Sequence, residues 1–164
     1  MDRRRALTDD ELTDLATRLR ALEGARPMDT LPELAAELGW KVLRTHPDRA
    51  RLDSGYGPTS CRVFAEQGLI VDITTWLTKG VPDDAEGRAW AQDVFVRMGA
   101  ALSAAFGEPS RRISDDVASL RWAGEANTLI LRNVAGSLQL TLMDNTWLDL
   151  GDRADALDVR HSLL

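Results

Sequence analysis

The sequence predicts an α+β domain: an antiparallel β-sheet with two N-terminal helices and one long central helix packed on it. Three observations predict it. One clearly punctuated helical segment, Asp83 to Phe106, follows Pro82 and stops at Gly107, with Pro109 just beyond. On the C-terminal side of Gly39, and again after Pro109, short alternating segments are separated by tight turns, which implies antiparallel neighbours. Before Gly39 the apolar residues recur with helical spacing instead.

The elements follow in order. Thr8 and Glu11 have capping-box spacing, and Leu7 with Leu12 occupies the hydrophobic-staple positions. Leu12, Leu15, Ala16, Leu19 and Leu22 give the first helix its apolar stripe, with Gly24 expected just past its end. Thr30 and Glu33 repeat the capping-box spacing, Pro32 falls in the first turn, and Gly39 closes this second, shorter helix. Strands are expected at Trp40–Thr45, Arg51–Tyr56, Ser60–Ala65 and Leu69–Leu77, with turns at Gly57-Pro58 and Glu66-Gln67-Gly68. In the central helix, Asp83 is the expected cap, and Trp90, Val94, Met98, Leu102 and Ala105 form the core stripe, widened by Phe95 and Phe106. A second strand block covers Arg111–Ile113, Ser119–Trp122, Thr128–Val134 and Ser137–Met143. From Asp144 onward the periodicity fades, with room for a short helix at the end, and an acidic tail from about residue 151 is expected to be mobile. The layout αα–ββββ–α–ββββ has a faint two-half symmetry.

Composition bounds the function. A chain of 164 residues, 44% hydrophobic and 28% charged, builds one domain with its own core, so residues 1–164 are read as a single unit. No stretch approaches the roughly 20 apolar residues that span a bilayer, and polar helix, not an apolar segment, follows the basic Met1-Asp2-Arg3-Arg4-Arg5 start, so neither membrane anchor nor signal peptide is expected. The single cysteine, Cys61, excludes an internal disulfide and a multi-cysteine metal site, which suits the cytoplasm. The net charge of −6 disfavours nucleic acid and favours a basic protein partner. Lysine occurs only at Lys41 and Lys79, so arginine supplies almost every cation, a bias of high-GC bacterial coding.

No catalytic constellation emerges. Nucleophilic catalysis needs Ser or Cys beside His and an orienting carboxylate. The histidines are His46 and His161, the latter in the tail. His46-Pro47-Asp48 spells the J-domain tripeptide, but between strands it reads as a turn. Thr30–Trp40 resembles the first helix of a helix-turn-helix, yet strand follows where a recognition helix is needed. Gly55-Tyr56-Gly57 lacks the rest of a phosphate loop. Asp115 and Asp116 fall in a turn, where Asp is favoured. No cofactor or metal is expected. Trp76, Trp90 and Trp122 are expected in the core. The tail carries Asp144, Asp149, Asp152, Asp155 and Asp158 around Trp147, an aromatic anchor rimmed by acids that would suit a basic partner.

The stretch TDDELTDLATRLRAL followed by MDTLPELAAELGW, then VPDDAEGRAWAQDVFVRMGAALSAAFGEPSRR and SLRWAGEANTLIL, resembles a family of small uncharacterised actinobacterial proteins, a domain of unknown function. The family's small acidic members are similar in style to immunity proteins and secretion chaperones of polymorphic toxin systems. The resemblance implies partner binding and supplies no catalytic residues. The expectation is a cytoplasmic, non-enzymatic protein that binds and neutralises a secreted toxin through Asp144, Trp147, Asp149 and Asp152, with Asp115 and Asp116. The alternatives are a small enzyme using His46 with Asp48, Asp53 or Cys61, and a regulatory or homo-oligomeric domain.

Overall fold

The computed structural model describes residues 3–163, with side chains described through Leu157. In chain order the elements are β1 (Arg5–Ala6), α1 (Asp9–Arg20), a 3-10 turn (Met28–Thr30), α2 (Leu31–Leu38), β2 (Lys41–His46), β3 (Arg49–Asp53), β4 (Cys61–Glu66), β5 (Leu69–Trp76), β6 (Thr78–Lys79), α3 (Ala85–Phe106), β7 (Arg111–Ser114), β8 (Ala118–Ala123), β9 (Asn127–Val134), β10 (Ser137–Asp144) and α4 (Asn145–Leu163). Mixed helix and antiparallel sheet make this the α+β class that the sequence predicts.

Eight strands form one sheet in the order β2-β3-β4-β5-β10-β9-β8-β7, while β1 pairs with β6 alone. Each half of the sheet is a meander of four consecutive strands, and the two meet antiparallel at β5 and β10. The faint two-half symmetry of the sequence is therefore a real pseudo-two-fold of the sheet. The inner hairpin turns carry it too. Gln67 and Gly68 have φ of 52° and 79°, and Ala135 and Gly136 have φ of 52° and 88°. Two left-handed residues are what a tight hairpin requires to match strand twist.

One face of the sheet is buried under α1, α2 and α3. Leu12, Leu19, Leu31, Leu34, Met98 and Leu102 from the helices meet Leu52, Val63, Ile73, Leu129, Leu131, Leu138 and Leu140 from the strands in one cluster. The capping box of α1 forms as expected: Thr8 N–H donates to Glu11 Oε1 at 2.9 Å and Glu11 N–H to Thr8 Oγ1 at 3.2 Å. Leu7 and Leu12 are both buried.

Several local expectations change. Helix α1 ends at Arg20 with Ala21 as cap, so Gly24, though left-handed, lies in the following loop. Thr30 makes no capping bond, because its hydroxyl donates to Pro27 O (2.7 Å) within the preceding 3-10 turn. Asp84, not Asp83, caps α3, accepting from Gly87 N–H at 2.7 Å. Ala105 is exposed, and Ala91 and Gly99 take its place in the buried stripe. Trp122 is buried, Trp90 is half-buried under the Arg4 guanidinium (5.6 Å), and Trp76 lies on the opposite face of the sheet from the main core. The largest difference is α4. The segment after Asp144 is a helix on that opposite face, where Leu148 and Trp147 pack on Ile130 and Met143. Helices thus cover both faces, because an eight-stranded sheet has two surfaces to shield. The expectations for Asp158 and His161 fall outside the described side chains.

Gly87 fits the first turn of α3 tightly, since a Cβ there would meet Pro82 O at 1.9 Å. Gly87→Ala should therefore lower stability by about 2 kcal/mol, against the roughly 1 kcal/mol that alanine gains by helix propensity. Asp84→Ala should cost about 1 kcal/mol. Chemical denaturation of the variants measures both.

Candidate binding face

The face of the sheet that bears α4 is built from alternate residues of every strand. Cross-strand partners share a face, and the register gives one continuous row: Arg44 opposite Arg51, Arg51 opposite Arg62, Arg62 opposite Thr74, Thr74 opposite Thr141, Thr141 opposite Ile130, Ile130 opposite Arg121, and Arg121 opposite Arg111. The row is nearly palindromic about its centre, where the buried Thr74 and Thr141 hydroxyls share a hydrogen bond at 3.0 Å. The pseudo-two-fold thus relates Arg51 to Arg121 and Arg44 to Arg111, and puts Arg62 where the other half has Ile130.

The two ends differ in what covers them. Helix α4 lies over the β8–β10 end. Its stripe Trp147, Leu148, Gly151, Asp152 and Asp155 faces the strands, apolar in its first turn and acidic beyond. Asp144 Oδ2 accepts from Trp147 N–H (3.2 Å) at the helix start. The Trp147 ring packs on Phe64 at 5.8 Å between centroids. Asp152 holds Arg121 through two hydrogen bonds, 2.8 and 2.9 Å, and lies 3.6 Å from Arg111. This bidentate hydrogen bond keeps the Asp152 carboxyl below the usual carboxylate range and raises the pKa of Arg121. Beyond the contact the helix stands off the sheet, leaving an open groove of about 1150 Å³ lined by Arg111, Arg132, Asp115, Asp116 and Asp155.

The other end is uncovered. Arg44, Arg51 and Arg62 are exposed, and among the described residues none of them makes an ion pair. The Arg62 guanidinium lies over the Trp76 ring at 5.6 Å. A hollow of about 500 Å³ opens beside them, lined by Arg51, Arg62, Trp76 and Lys79. Deeper in the same face, burial pushes the Asp72 carboxyl up, against the Thr74 hydroxyl that donates to it at 2.6 Å and the nearby charges of Arg62 and Arg132. Burial also lowers the pKa of Arg132, opposed by Asp72.

The residues expected from sequence to meet a partner are therefore divided. Asp144 and Trp147 anchor the start of α4, and Asp152 is bound to Arg121 and Arg111. Asp149, Asp115 and Asp116 are exposed. His46 is exposed on β2, on the arginine face, whereas Cys61 is buried and faces the main core, where burial pushes its thiol up. Asp53 pairs with Lys41 at the far end of the β2–β3 hairpin from His46, and its Oδ1 accepts from Gly55 and Gly57 N–H. These groups do not converge. Asp48 closes the hairpin turn beside Arg49 (3.5 Å). Among the described residues, no three His, Cys, Asp or Glu side chains are grouped as metal ligands, and no helix is long and apolar enough to cross a membrane.

The fold and the face define an α+β domain with a half-covered, arginine-lined sheet. The chain belongs to the family of unknown function DUF6301, whose model matches residues 10–144, from the start of α1 to the end of β10. Helix α4 lies beyond the matched region. No curated protein and no solved structure matches the chain.

Two outcomes are expected. Three like charges directly opposite one another destabilise a sheet, so Arg51→Glu should raise stability by about 0.5 kcal/mol or more, read as a higher thermal midpoint. Asp152→Asn should loosen α4, with faster amide exchange over 145–157. The same loosening should appear in the native chain on acidification. A depressed carboxylate stabilises the fold above its unfolded pKa of about 3.9 and loses that contribution as pH falls through the folded value. Protection of the α4 amides, taken relative to their intrinsic exchange at each pH, should therefore fall below about pH 4 in the native chain and stay flat in the Asn variant.

Proposed function

We propose that this chain is a non-enzymatic protein-binding module, most concretely a cytoplasmic immunity protein or chaperone that holds a secreted toxin in an actinobacterial cell. The observation that carries the reading is the exposed arginine row on the uncovered end of the sheet. Sheets rarely place three cations side by side, because the repulsion costs stability, and the Asp72 carboxylate that acts on Arg62 is shared with Arg132. Such a cost is tolerated where a surface is used. The separation of His46 from Cys61, on opposite faces, further supports binding over catalysis at His46. On this reading the partner presents carboxylates to the arginine row. The exposed Asp149, Asp115 and Asp116 favour a second reading, in which a basic partner approaches the β7–β8 rim.

Co-expression with the product of the neighbouring gene tests the proposal. A complex that survives purification, together with protection of growth against that product, is the expected result. The absence of both complex and protection would overturn it.

A further inference from the structure

We infer that the Arg44–Arg51–Arg62 row docks an acidic helix of a partner protein through carboxylates, as Arg121 and Arg111 hold Asp152 of α4 on the two-fold-related half of the same face. This inference deepens the partner-binding reading and rests on it. The template for the contact is internal to the molecule.

On the covered half, α4 presents Asp149, Asp152 and Asp155, three residues apart and so near one side of the helix. Asp152 grips Arg121 with both oxygens and reaches Arg111 at 3.6 Å, and the charges of Asp155 and Asp149 also act on Arg121. The symmetry-related pair, Arg51 and Arg44, sits in the same register, and among the described residues no carboxylate pairs with it. Fork-shaped guanidinium groups on neighbouring strands, about 5 Å apart, match carboxylates carried on successive helical turns.

Differences between the halves refine the partner's chemistry. Where α4 lays Leu148 against Ile130, the uncovered half offers Arg62, so the incoming helix carries an acid there. Counting outward from the Thr74–Thr141 centre, Trp76 occupies the position of Met143. Beside it lies the hollow of about 500 Å³, lined by Arg51, Arg62, Trp76 and Lys79, which has room for one large apolar residue. The partner segment is thus an amphipathic helix with carboxylates one turn apart and one large apolar residue, more acidic than α4 itself.

A synthetic peptide of the sequence Asn145–Leu163 carrying Leu148→Glu is the probe, titrated into the full chain at low ionic strength and followed by fluorescence anisotropy. Binding is expected, weakened at least tenfold by Arg51→Glu with Arg62→Glu, weakened similarly when Asp149, Asp152 and Asp155 of the peptide are Asn, and reduced by salt. The doubly substituted chain should melt no lower than the native one, so the loss is not unfolding. No binding of the peptide overturns the inference. So does binding that Arg51→Glu with Arg62→Glu leaves intact and Arg121→Glu abolishes, since the peptide would then be displacing α4. A native chain that dimerises through the row makes the occupant a second copy and also overturns it. If a cellular partner co-purifies equally with the native chain and with the doubly substituted one, the docking site falls and the partner-binding reading stands. If the peptide binds through the row and no partner or protection is found, the reverse holds.

Discussion

The pairing of β5 with β10 is the constraint on which the rest depends. Within the eight-stranded sheet every other strand pair joins segments consecutive in sequence, whereas this one links residues such as Thr74 and Thr141, separated by 67 positions. It must close a loop that contains α3 and the whole second meander, and loop closure costs entropy before any contact is gained. The seam is held accordingly. Thr75 Oγ1 donates to Leu140 O at 2.9 Å, Thr74 and Thr141 share a hydrogen bond, and Ile73, Leu140 and Leu142 bury the adjoining surface. Buried threonines satisfied by one another and by backbone fix the register, since a slip of one residue would turn the Thr74 and Thr141 hydroxyls into the apolar core and take Thr75 away from Leu140 O.

From that seam the charge distribution follows. Acids outnumber cations on α1, where Asp9, Asp10, Glu11 and Asp14 stand against Arg18 and Arg20, and α2 adds Glu33 and Glu37, while on α3 Glu86 and Asp93 are balanced by Arg88 and Arg97. Arginines alternate along the strands and are gathered by register onto the other face. The net charge of −6 is thus an average over two unlike surfaces. It describes solubility better than it describes what either face would attract.

Much of the scaffold was legible from local chemistry. The Thr8 capping box, the left-handed stop at Gly39 and the two hairpin turns are properties of a few adjacent residues, and they formed where the sequence put them. Helix α4 was not legible, because only Trp147 and Leu148 of its sheet-facing stripe are apolar and the stripe continues as Asp152 and Asp155. A helix whose buried side ends in carboxylates has no hydrophobic period to detect. The arginine row was missed for a related reason. Arg44, Arg51 and Arg62 stand on three different strands, and the bulge between Val42 and Arg44 changes the parity of β2. Counting outward from the hairpin turns would have placed Arg49 and Arg51 on one side of β3, which was the available signal.

The outermost strands bear on how the chain behaves in a crowded solution. A sheet's rims offer unpaired N–H and C=O groups to any other chain. Here β7 is four residues long, and β2 is irregular at Leu43 and flanked by Lys41 and Arg44. A short rim on one side and a kinked, cationic one on the other are poor templates for strand addition. Open-ended growth into filaments is therefore discouraged at both rims, even though the sheet never closes on itself.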